Sequence, residues 1–161
     1  MAPIDGTVVD WMATWPGAVL LQRSGTAYLL VNAAHILGVG VLVGAILPLD
    51  LRLLGFFRGV PLQVIGPFLS RVAATGLALA LATGLWLFTV KPAEYIANEA
   101  FLWKLALLLA ALLNFAVQHR SGALAHALRD GEPRAGVRVA AFCSAVLWLS
   151  VLLAGRWIGF V

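Results

Sequence analysis

Apolar residues in this chain come in long runs and do not alternate with polar ones. Four stretches, at 27–49, 72–90, 101–119 and 137–158, are almost free of charge, and each is long enough to cross a hydrocarbon core about 30 Å thick as a helix. Polar residues collect between them. Arg52, Arg58, Pro61, Pro67 and Arg71 follow the first run, Glu94, Tyr95, Asn98 and Glu99 follow Lys91-Pro92, and Arg129, Asp130, Gly131, Glu132 and Pro133 fall in the segment from Arg120 to Gly136. Pro48 and Asp50 mark the exit of the first span, because proline and an ionised carboxylate both disfavour continued lipid-facing helix. The pattern predicts an all-α fold, an integral membrane four-helix bundle forming a single four-span transmembrane domain over residues 1–161.

Ahead of the first span, Val8, Val9, Trp11, Met12 and Trp15 form one apolar helical face that Pro16 interrupts. A short N-terminal interfacial helix is expected there, with a simple cap over the bundle end as the other reading. This stretch has no Lys or Arg before Arg23 and carries Asp5 and Asp10, so it lacks the basic start of a secretory signal and is read as retained.

Composition agrees with the pattern. The chain is 62% hydrophobic and 11% charged, about half the charge of a typical soluble domain, which argues against a soluble enzyme. The net charge of +4 comes from Lys and Arg at the span edges, a distribution that fits the positive-inside rule and gives no reason to expect a nucleic-acid partner. Arg52, Arg58, Arg71, Arg120, Arg129, Arg134 and Arg138 lie at one side, against Arg23, Lys91, Lys104 and Arg156 at the other. Both termini are therefore expected outside the cytoplasm. The lone Cys143 permits no internal disulfide and no cysteine-built metal site.

Small residues recur at spacings of four: Gly40 and Gly44; Gly76, Ala80 and Gly84; Ala106, Ala110 and Asn114; Ala141 and Ala145; Gly155 and Gly159. Such stripes let helix backbones approach closely in lipid, and they predict a close bundle.

Ionisable groups at membrane depth are costly and draw attention to themselves. Tyr28, Asn32 and His35 share one face of the first span, Lys104 lies near the start of the third, and Arg156 near the end of the fourth. Asn32, His35, Tyr95, Asn98, Lys104 and Arg156 form the candidate ligand pocket, with His35 the candidate metal ligand because imidazole is the commonest one. Plainer readings stand beside these. His35 can be a neutral ring bonded to Asn32 or to a neighbouring carbonyl, and Lys104 and Arg156 can snorkel or pair with Glu94 and Glu99. Asn114 and Gln118 can be interhelical glue. Asp50 and Arg52 can anchor the inner end of the first span at headgroup level, and a third helix starting near residue 94 would place Tyr95, Asn98, Phe101 and Lys104 on one stripe.

Haem b and copper are the cofactors that His35 brings to mind, but His35 and His119 differ in depth by about 15 Å at a rise of about 1.5 Å per residue. That pair suits a bis-histidine haem poorly within one subunit. No phosphate loop, metalloprotease histidine pair or nucleophile elbow is present, and four spans without an internal repeat give transport little support.

The order of several motifs carries a resemblance. His35-Ile-Leu-Gly38, Gly44, Asp50-Leu-Arg-Leu-Leu-Gly55, Thr83-Gly84-Leu85 with Phe88, Tyr95, Asn98, Phe101 and Lys104, Asn114 with His119, and Gly155-Arg-Trp-Ile-Gly-Phe160 together resemble a bacterial four-span inner-membrane family of unknown function. That resemblance implies a multi-pass protein of the bacterial inner membrane. A looser similarity, to the copper-resistance membrane protein CopD and to small four-helix membrane cytochromes, implies metal or haem. The sequence reading that results is a non-enzymatic accessory or assembly subunit, in contact with the lipid bilayer and with other membrane or redox subunits or a second copy. The alternative is a small haem- or copper-binding electron-transfer or metal-handling protein, and a quinone- or proton-handling partner of a respiratory enzyme is a third reading.

Overall fold

In the computed structural model, residues 6–160 are described, and Asp5 lies outside them. The elements are α1 (Gly6–Thr14), α2 (Pro16–Arg23), α3 (Gly25–Leu54), α4 (Leu62–Phe88), α5 (Pro92–Ala97), α6 (Glu99–Arg120), α7 (Ala123–Asp130) and α8 (Ala135–Trp157). Four of them, α3, α4, α6 and α8, are long and apolar enough to cross a membrane.

Two span ends differ from the hydropathy reading. The first helix runs on through Pro48 and Asp50 to Leu54, and the second begins at Leu62 and takes Pro67 and Arg71 into its length. Pro48 lacks an N–H and so leaves the Gly44 carbonyl without its helical donor, but its ring faces outward and the helix continues. The Asp50 side chain is turned into the bundle at 2% exposure, so it does not face lipid. Arg52 has the anchoring role: its Nε–H donates to the Val60 carbonyl at 2.7 Å, tying the connector back onto α3. The turn itself is made by Gly55, whose φ of 105° lies in the left-handed region open to glycine.

Helices α3 and α4 pack most intimately, α3 also packs on α8, and α8 on α6; α4 and α6 make little or no backbone contact. The four are thus joined in the order α4, α3, α8, α6. The side between α4 and α6 is spanned by side chains: Phe88 stacks on Phe101 with centroids 5.5 Å apart at one end, and α7 packs against both helices at the other. Trp148 fills the middle beside Leu42, Ala45, Ala73 and Ala111.

Not every glycine stripe sets a packing distance. Gly40 and Gly44 face open space, whereas Gly38 and Gly76 form the α3–α4 crossing. A Cβ on Gly38 would lie 2.7 Å from the Ala80 backbone nitrogen, and one on Gly76 would lie 2.8 Å from the Gly38 oxygen. Gly40 and Gly44 are spaced correctly for a packing motif but sit on the wrong face of the helix.

The N-terminal segment forms a helical pair that covers one end of α4. Trp15 Nε1–H donates to Thr89 Oγ1 at 3.0 Å, Trp86 Nε1–H to the Gly17 carbonyl at 3.0 Å, and Gln22 Nε2–H to the Val90 carbonyl at 3.1 Å. Trp11 remains 70% exposed on α1, available to an interface.

Candidate functional site

The α5 end of the bundle gathers most of the candidate residues. Ser24 caps α3 through Ala27 N–H, and three turns along the helix His35 meets α4 across the interface that Gly38 and Gly76 bring close. Its ring lies on Gly84, where a Cβ would be 2.9 Å from Cε1, so a larger residue there would displace the ring. Nδ1 is 2.9 Å from the Ala80 carbonyl oxygen and 3.1 Å from Thr83 Oγ1. These partners fix the tautomer. The carbonyl can only accept, and the Thr83 hydroxyl spends its own proton on the Leu79 carbonyl at 2.6 Å, so Nδ1 carries the hydrogen. The neutral ring then presents the Nε2 lone pair as an acceptor. Of the two plainer readings of His35, the neighbouring carbonyl holds and the Asn32 bond does not: Asn32 is half-buried on the same helix and makes no hydrogen bond with His35.

Lys104 enters from α6. Its stem runs along α8 with Cε 3.5 Å from where a Gly155 Cβ would be, and its ammonium is near enough to His35 to act on it electrostatically. No acidic side chain pairs with it among the described residues; Glu94 is engaged by Lys91 at 2.9 Å, and Glu99 is exposed. The pairing of Lys104 with Glu94 or Glu99 therefore does not occur.

Aromatic groups cluster at the same end of the bundle. Tyr95 lies against Phe101 at 5.3 Å and Phe88 at 6.1 Å between centroids, with Tyr28 of α3 beside it. Burial above all, then the Tyr28 phenol and Glu94, push the Tyr95 phenol above its ordinary value, so it remains a donor through neutral pH. The single stripe expected from residue 94 is not formed. Asn98 adopts an extended backbone and caps α6, accepting from Phe101 N–H at 3.1 Å, so α5 and α6 are separate helices. The fold at Asn98 is what brings Tyr95 onto Phe101. Arg156 is exposed at the end of α8 with its guanidinium 4.9 Å over the Phe160 ring, a helix-end contact and not part of the buried pair.

Asn114 behaves as interhelical glue, its amide donating to the Ala140 carbonyl of α8 at 3.1 Å. His119 is exposed in the last turn of α6 with its ring 4.1 Å from Phe115. It stands fifteen residues beyond Lys104, about 22 Å along the helix axis, so it and His35 do not face one another across one haem. Copper is no better served. His35 offers one imidazole nitrogen beside an ammonium, and no group of three His, Cys, Asp or Glu is assembled among the described residues. Two shallow surface hollows, one at Glu99, Leu102, Trp103 and Ala106 and one at Trp15, Ala82, Leu85, Trp86 and Thr89, do not include His35.

Thr83, Ala80 and Gly84 are the residues that sequence reasoning did not assign to the site. Thr83-Gly84 is visible as a motif, but its link to His35 spans 48 residues of chain and only the α3–α4 crossing reveals it.

These observations define a helical membrane protein whose four apolar helices enclose a small polar cluster near one end. The chain belongs to DUF6644, a family of unknown function whose profile matches residues 10–161. No curated protein and no solved structure matches it, so the comparisons lend no support to a likeness to CopD or to membrane cytochromes.

Proposed function

We propose that the protein is a non-enzymatic accessory subunit of the bacterial inner membrane that binds the headgroup of a membrane-soluble quinol, at the outer end of the bundle, for a redox partner. The observation that carries this reading is the Lys104 ammonium, half-buried in a bundle and without a counter-charge among the described residues. A half-buried cation with no acid beside it is favoured by a ligand that supplies an acceptor. His35 offers the opposite: with Nδ1 donating, its Nε2 can accept from a donor. A quinol oxygen accepts from Lys104 while a quinol O–H donates to His35, and the ring suits the aromatic cluster of Phe88, Tyr95 and Phe101. Entry from lipid is available along the α4–α6 side, which only side chains close.

The test is solvent extraction of quinone from protein purified in mild detergent. Near-stoichiometric quinone in the wild type and its loss in Lys104→Met, with the variant equally folded, is the expected result. Equal trace amounts in both would refute the reading.

A further inference from the structure

The other half of the bundle holds a polar group that the quinol site does not use. Asp50 on α3 is 2% exposed, and its Oδ2 has no hydrogen-bond partner. The Ser144 hydroxyl of α8, itself 5% exposed, is the polar side chain that acts on the carboxyl. Leu49 and Leu53, which flank Asp50 along α3, belong to an apolar cluster with Leu62 from α4, Leu124 and Ala127 from α7, and Val137 and Ala141 from α8. Among the described residues no charged neighbour acts on the carboxyl: Arg52 is tied to Val60, and the Asn114 amide of α6 is spent on Ala140.

We propose that Asp50 is an intramembrane proton-binding site, its carboxyl held as the neutral acid between α3 and α8. An isolated charge in such surroundings is far costlier than a neutral acid, which needs only one acceptor for its O–H. A hydroxyl oxygen can accept as well as donate, so Ser144 is a partner for the acid O–H once the carboxyl is protonated. The bound species is a proton and not a metal cation, because Asp50 is the one anionic side chain in its surroundings and a cation would call for several oxygen ligands.

The experiment uses the full chain in lipid nanodiscs treated with dicyclohexylcarbodiimide, an apolar reagent that adds to carboxyls in their protonated form, followed by peptide mass spectrometry. Infrared spectra of the wild type and Asp50→Asn, a neutral replacement of the same shape, are recorded in parallel. The expected result is one adduct on the Asp50 peptide, insensitive to sodium, together with a protonated-carboxyl stretching band that Asp50→Asn removes. The other acids described, Asp10, Glu94, Glu99, Asp130 and Glu132, are exposed and stay unlabelled. Suppression of the adduct by sodium, or an absent adduct together with a carboxyl band unchanged by Asp50→Asn, overturns the proposal.

Discussion

Gly76→Ala adds one methyl group at the tightest point of the bundle. The new Cβ would press on the Leu42 backbone nitrogen, lie 2.8 Å from the Gly38 oxygen and 3.0 Å from the Leu42 Cα. All three are backbone atoms of α3, so no side chain can swing aside. Restoring carbon contacts to about 3.5–4.0 Å requires the helices to separate by roughly an ångström, and misfits of this kind cost about 1–3 kcal/mol. The same separation lengthens the bond from His35 Nδ1–H to the Ala80 carbonyl, which is 2.9 Å long and one turn further along α4. Gly44→Ala is the control: its Cβ meets nothing within 4 Å, and its effect should stay within about 0.5 kcal/mol. The assay is reversible unfolding by a denaturing detergent in mixed micelles, with both variants measured against wild type. Gly76→Ala as stable as wild type, or Gly44→Ala equally damaging, would refute the assignment of the crossing.

Three further outcomes follow from particular contacts. Asn114→Leu removes the bond to the Ala140 carbonyl and should cost about 0.6–2 kcal/mol in the same assay, with α6 the first helix to loosen. Trp86→Phe removes the indole donor to Gly17 and should make the α1–α2 pair more susceptible to protease while leaving the four spans protected. For Tyr95, the folded phenol titrates above its unfolded value, so its contribution to stability is complete below the unfolded value and is lost as pH rises through the folded one. Tyr95→Phe should therefore flatten the alkaline decline in thermal stability above about pH 10 while leaving the neutral range little changed.

Hydropathy made the four spans legible because lipid demands long apolar helices, and it made α1 legible from the Val8–Trp15 face. The ends were less legible, because proline and acid signals are read as though the residue faced lipid. Pro48 does face outward and the helix tolerates it, while Asp50 faces inward and the helix continues past it. Spacing cannot give rotation about the helix axis, which is why Gly40 and Gly44 imitate a packing motif that Gly38 and Gly76 supply. Within the site, His35 and Lys104 stand out as polar residues in apolar runs. Their roles depend on partners far along the chain: Ala80 and Thr83 fix the imidazole, and the absence of an acid beside Lys104 is visible only once Glu94 is seen to pair with Lys91.

The central claim is that Lys104 and His35 form a headgroup site, and quinol titration of wild type and Lys104→Met in nanodiscs, followed by tryptophan fluorescence, tests it most directly. Loss of one charge-assisted hydrogen bond of about 1.5–3 kcal/mol predicts saturable binding that weakens by roughly 10- to 100-fold in the variant. Saturable binding of equal strength in both proteins, or no saturation in the wild type, would contradict the account.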